Sequence, residues 1–209
     1  AIMEVTEDQG ESTQAYSVLE EQLEMLQSNL KDIEDEQISV SERLAQIEKD
    51  DLNARQKANV YVNRLHTIKR YMEKRNLPGI PQSFLKLFFT ASHNTEDLMA
   101  ELEQPQVNIE SVKRILEVVT NDMEALETET YDIVQYATLT EQLLQYSNRY
   151  RSFDERIQEA FNEALEIFEK EFDYQASFEK ISQALEVAEP GVTNRFVTSY
   201  EKTREAIRF

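Results

Sequence analysis

Between Tyr16 and Met72 apolar residues return at alternating spacings of three and four: Tyr16, Leu19, Leu23, Leu26, Leu30, Ile33, Val40, Leu44, Ile47, Ala54, Ala58, Tyr61, Leu65, Ile68 and Met72. Gln37 and Asp51 are the polar lapses in that register. Only a helix brings every third and fourth residue onto one side, so the pattern is the a/d seam of a coiled-coil-like helix. No proline or glycine interrupts the span. The helix is therefore predicted to run unbroken for about 85 Å at the helical rise. Any fold open to this chain has to accommodate that rod.

The rest of the chain offers little but more helix. Three glycines and four prolines in 209 residues leave scant material for turns, and Glu, Gln, Leu, Ala, Lys and Arg favour helices. "NLPGIP" (Asn76–Pro81) ends the first helix, since two prolines around a glycine cannot continue it. A second helix follows with Phe84, Phe88, Ala91, Leu98 and Leu102 on one face, weakened at "SHNT" (Ser92–Thr95), where a kink is expected. "QPQVN" (Gln104–Asn108) closes it, and Asn108 reads as the N-cap of a third helix carrying Val112, Leu116, Val119, Met123, Leu126, Ile133, Ala137 and Leu144. Periodicity continues through Phe153, Ile157, Phe161, Ala164 and Phe168 and pauses at "EFDYQ" (Glu171–Gln175). A short helix over Ala176–Ala188, a stop at "EPG" (Glu189–Gly191) and a last helix from Val192 onward complete the chain. The plan is all-α: tandem three-helix, antiparallel coiled-coil repeats joined by long continuous helices. Residues 1–44 read as a leader and the incoming helix of a truncated repeat, 45–140 as one repeat, and 141–209 as a shorter C-terminal three-helix repeat. The opening "AIM" reads as a cloning remnant, and the chain is expected to be a fragment.

A formal net charge of −19 argues against nucleic acid and anionic lipid as general partners. The charge is uneven. Residues 1–54 carry 15 acids and 3 bases, whereas 55–75 carry seven bases (Arg55, Lys57, Arg64, Lys69, Arg70, Lys74, Arg75) against Glu73 alone. This stretch reads first as a solvated basic face paired with acids on adjacent helices, and second as a basic contact surface of Arg64, Lys69, Arg70, Lys74 and Arg75. Cysteine is absent, which excludes thiolate metal sites. The longest apolar patch, "FLKLFF" (Phe84–Phe89), is broken by Lys86 and falls far short of the ~20 residues of a membrane span. His66 and His93 have no partner at zinc-ligand spacing, and the glycines form no phosphate loop. The abundant acids are expected on solvated helix faces rather than as an acid–base pair. No cofactor, metal or catalytic residue is assigned, and the chain reads as a non-enzyme.

One stretch stands apart from the seams. "QYSNRYRS" (Gln145–Ser152) holds two tyrosines, two arginines, Gln and Asn with no aliphatic residue. Continued as a helix, it marks where the buried face changes sides. The seam through Ile133, Ala137 and Leu144 expires, and a second through Leu139, Leu143, Tyr146, Tyr150, Phe153 and Ile157 takes over. On that wheel Tyr146 and Tyr150 join the second core, and Ser147 and Arg151 close the end of the first. Gln145, Asn148, Arg149 and Ser152 then share a free face, with Arg156 one turn on. Such a face is either a solvated one with its arginines paired to nearby acids, or a compact set of donors for the carboxylates and carbonyls of an extended acidic segment.

"QYSNRYR" followed by "DERIQEAFNEALEIFEKEFDYQASFEKISQALEVAEPG" resembles the C-terminal region of the EzrA family of septation ring formation regulators, as do "NLPGIPQSFL" and "DLMAEL". The resemblance implies spectrin-like repeats in a Gram-positive protein tethered by one N-terminal transmembrane helix outside this sequence. It further implies action on the tubulin-like division protein FtsZ, restraint of ring assembly, and a place on the cytoplasmic side of the membrane at the septum. The family's Gln–Asn–Arg patch falls on Gln145, Asn148, Arg149 and Arg151, with Tyr146 and Tyr150 between. Two readings stand together: an interaction arm for FtsZ and other division proteins, and a spacer that self-associates as a homodimer through the Tyr16–Leu44 seam.

Overall fold

The computed structural model describes residues 2–204, with side chains from residue 17 onward. Tyr16, the "AIM" opening and the end of the predicted last helix lie outside the described side chains. Every regular element among the described residues is helical: α1 (Ile2–Lys74), α2 (Gln82–Leu102), α3 (Ile109–Ser147), α4 (Glu155–Glu166), α5 (Tyr174–Ala188) and α6 (Val192–Thr203). The chain divides into two compact units, residues 1–52 and 53–209.

In the first unit the seam is present but uncovered. Its side chains range from 46% exposed at Ile47 to 61% at Leu26. Helix continuity here rests on local propensity and on i,i+4 pairs such as Gln46 Nε2 donating to Asp50 Oδ1 at 2.8 Å.

The second unit is built on two cores. In the first, Ala54, Ala58, Tyr61, Leu65, Ile68 and Met72 of α1 meet Phe84, Ala91, Leu98 and Leu102 of α2 and Val112 to Ala137 of α3. Helix α2 runs unbroken through "SHNT". Thr95 keeps its place there because its hydroxyl donates to the Ala91 carbonyl at 2.6 Å, which satisfies it inside the core. Asn108 is the N-cap of α3, accepting from the Ser111 amide at 3.1 Å. The second core joins Leu143 and Leu144 of α3 to Ile157 and Ala164 of α4, Ile181 and Leu185 of α5 and Val192 of α6. Leu144, read from sequence as the last residue of the first seam, belongs to the second core.

The two cores interlock rather than abut. Helix α4 widens into a π turn over Ile167–Glu171, closed by the Phe172 amide donating to the Ile167 carbonyl at 2.9 Å. Phe168 inside this turn and Tyr174 just after it are buried in the first core, with ring centroids 4.9 Å apart. Phe172 adopts a left-handed backbone (φ 58°), a strain of about 1–3 kcal/mol. That conformation lays its ring over Gly79 in the "NLPGIP" turn, where an added Cβ would collide with the ring. The Tyr174 hydroxyl donates to the Gly79 carbonyl at 2.6 Å and seals the contact. Asp173 caps α5 by accepting from the Ala176 amide at 3.0 Å, so α5 starts two residues before the predicted Ala176.

Candidate protein-interaction surface

"QYSNRYRS" is not a stretch of helix but the end of one. Helix α3 stops at Ser147, whose buried hydroxyl turns back to the Leu144 carbonyl at 2.6 Å. The amides that follow tighten to three-residue bonds: Arg149 to the Tyr146 carbonyl at 3.2 Å and Tyr150 to that of Ser147 at 2.9 Å. The turn closes where the Asp154 amide donates to the Tyr150 carbonyl at 2.9 Å. Asp154 then caps α4, its carboxylate accepting from the Arg156 amide at 3.1 Å. Partial desolvation opposes ionisation of Asp154, yet the Arg156 side chain and the amides of Ile157 and Arg156 outweigh it and hold this carboxyl below its ordinary range.

The turn redistributes the side chains that a continuous wheel had sorted. Tyr146 and Tyr150 pack against the second core, as the wheel has it, and both hydroxyls donate to Glu189 Oε2 at 2.6 Å. Arg195 of α6 donates to Glu189 Oε1 at 2.9 Å and to the Tyr146 hydroxyl at 3.0 Å. The tyrosine hydrogen bonds foremost, aided by the Arg195 cation, depress the Glu189 carboxyl to about 2. The same carboxylate, with some desolvation, pushes the Tyr150 phenol up to about 12. Arg151 does not close the first bundle. Its guanidinium lies 3.6 Å over the Phe161 ring and bonds Gln158 Oε1 at 3.0 Å and Asn148 Oδ1 at 2.9 Å, so it braces α4. Phe153, assigned from sequence to the second core, is 74% exposed.

What remains open is a smaller set than the sequence suggested. Arg156 pairs with Asp154 at 3.4 Å. Asn148 has committed its carbonyl to Arg151, while Gln145 and Ser152 stay exposed. Arg149 is exposed, its guanidinium 4.5 Å over the Tyr146 ring. Arg195 approaches the same ring at 5.6 Å. The missed residues were Glu189, Arg195 and the exposure of Phe153. The first two are brought in by tertiary packing. The third was readable, because Asp154 ahead of Glu155 is a helix-start signature that puts Phe153 outside α4.

The secondary basic surface is partly spent inside the fold. Arg64 pairs with Glu127 at 3.3 Å, and Arg75 donates to Thr138 Oγ1 at 2.5 Å, both across to α3. Lys69 lies 3.9 Å from Glu73, and Lys69, Arg70 and Lys74 remain exposed. His93 does have an acid in reach, Asp97 at 3.7 Å. Among the described residues no three His, Cys, Asp or Glu side chains are grouped to hold a metal ion.

A family model described as "Septation ring formation regulator, EzrA" matches residues 1–200. The chain belongs to the EzrA family. Proteins named septation ring formation regulator EzrA from Streptococcus pneumoniae strains Hungary19A-6, G54 (serotype 19F) and D39 (serotype 2) are each 88% identical over all 209 residues. That match runs through the "AIM" opening, against the expectation of a cloning remnant. The chain spans 36% of the length of these EzrA relatives. No solved structure matches it. Membership in the EzrA family places the chain among proteins of septation and cell division. No helix among the described residues is long and apolar enough to cross a membrane.

Proposed function

We propose that this chain is part of a spectrin-like arm of a cell-division regulator, a non-enzyme that meets FtsZ or another division protein through the α3–α4 turn and restrains FtsZ ring assembly. In the full-length protein it works at the cytoplasmic side of the membrane, at the septum. One observation carries the reading. Arg149 stands exposed in a chain of net charge −19, and among the described residues its guanidinium has no hydrogen bond or ion pair, only the Tyr146 ring. A cation left unspent among so many acids is available to a partner rather than to the fold. The two bundles, sharing α3 and interlocked at Gly79, support the spectrin-like description, and the family's name supports the division role. Co-sedimentation with FtsZ filaments across a salt series tests it: the wild type pellets at low salt, Arg149→Ala pellets less, and the gap narrows as salt rises. Equal pelleting of the two proteins at every salt concentration counts against the patch.

The second reading is self-association, and the uncovered seam from Leu19 to Ile47 favours it. Half-exposed leucines at a/d spacing are what a second helix covers. Light scattering over a concentration series decides it, since a mass that stays monomeric at high concentration removes this reading.

A further inference from the structure

The α3–α4 turn presents more than polar donors. Four aromatic rings form a ladder that runs out from the second core: Phe196 to Tyr146 at 5.2 Å between centroids, Tyr146 to Tyr150 at 6.3 Å, and Tyr150 to Phe153 at 6.0 Å. Phe196, Tyr146 and Tyr150 are half-buried against that core. Phe153, the outermost rung, is the most exposed of the large apolar side chains among the described residues, at 74%. It is exposed but not loose. Its amide donates to the Tyr150 carbonyl at 3.1 Å, its ring meets the Tyr150 edge at 65°, and the next residue, Asp154, is fixed as a helix cap.

Beyond the Tyr150 ring contact, the fold gains little from that placement. A benzyl group held in water forgoes the burial that would stabilise it, by about 25 cal/mol for each Å² of apolar surface. The same turn carries two arginines stacked on rings, Arg149 on Tyr146 and Arg151 on Phe161, with the acids Asp154 and Glu155 following Phe153. An aromatic with few rotatable bonds, fixed on a packed turn that also presents an exposed arginine, is the composition of an interface hot spot.

We infer that Phe153 is the apolar anchor of the α3–α4 surface, seating in a pocket of an acidic protein partner whose carboxylates meet Arg149. This rests on the reading above that the turn holds a partner, and it names the residue that supplies the affinity. Charge selects the partner's chemistry. The chain carries −19 overall, so an acidic partner is admitted where an exposed cation is not already paired with an acid, as Arg149 is not on this turn. The division of labour is specific: Arg149 sets attraction and its salt dependence, and Phe153 sets how long the partner stays.

The test uses the full-length protein with a fluorescent tag, scored for septal enrichment in dividing cells. The variants are Phe153→Ala, Phe153→Leu, Arg149→Lys, Arg149→Glu and, as an exposed aromatic elsewhere, Phe89→Ala, which is 66% exposed on α2. Phe153→Ala and Arg149→Glu are expected to lose the enrichment, Phe153→Leu and Arg149→Lys to keep part of it, and Phe89→Ala to keep all of it. Far-UV circular dichroism and melting of the purified variants are expected to match the wild type, because neither side chain is buried. Normal enrichment of Phe153→Ala with loss on Arg149→Glu overturns the anchor and leaves the patch standing. Normal enrichment of both overturns the patch reading as well. Loss on Phe153→Ala with normal Arg149→Glu overturns the acidic partner. Co-precipitation of two differently tagged copies that disappears with Phe153→Ala assigns the surface to a second copy and overturns the proposal.

Discussion

Two turns of the second unit, both fitted with aromatic rings, are finished in opposite ways. The "NLPGIP" turn is sealed: the Phe172 ring covers Gly79, Tyr174 donates to its carbonyl, and both aromatics reach into the first core. The α3–α4 turn is open: its tyrosines spend their hydroxyls on Glu189, while Arg149 and Phe153 face solvent. Aromatic content does not separate the two, although the left-handed residues Asn76 and Phe172 both lie at the sealed one. What separates them is whether the polar groups and rings find partners within the chain. The sealed turn sets how the bundles meet, and the open one has capacity left for another molecule.

The contrast breaks first at the sealed side. Phe168→Ala removes the ring that the π turn places in the first core and is expected to cost about 3–5 kcal/mol in urea unfolding. Gly79→Ala forces the Phe172 ring off its seat, at about 1–3 kcal/mol. Combined with Phe172→Leu, its cost should be less than the sum of the two single changes, because both act on one contact. Glu189→Gln probes the boundary between the two sides. The native carboxyl stays ionised down to about 2, whereas the unfolded one protonates near 4.5, so its stabilisation is complete above that value and lost as pH falls toward 2. Acid titrations should therefore lose part of their slope between those limits in the variant, and an unchanged slope would show that the tyrosines do not hold the carboxylate. At the open side, Arg149→Ala and Phe153→Ala should each shift stability by no more than about 0.5 kcal/mol. A larger loss for either would mean that the turn is structural after all.

Much of the fold was readable because helix physics is local. The seam of α1, the break at "NLPGIP", the Asn108 cap and the stop at "EPG" follow from residue type and spacing, and the structure places each where it was expected. The site was read less well, for one reason. A helical wheel assumes that the helix continues, and α3 ends at Ser147. Past that point the wheel misplaced Phe153 and gave Arg151 to the wrong bundle, although Asp154 ahead of Glu155 already announced a new helix start. Glu189 and Arg195 were beyond reach from sequence, since they lie some 40 or more residues from Tyr146 and Tyr150 and only packing brings them together.

The π turn at Ile167–Glu171 works as a phase corrector. An ordinary helix advances about 100° per residue, so one residue more in a single turn swings everything after it by about that angle. Ala164, just before the turn, points into the second core, while Phe168, inside it, points into the first. One extra residue thus redirects a helix from serving its own bundle to clamping its neighbour. Removing it would unhook the two bundles without deleting any residue of the hydrophobic face.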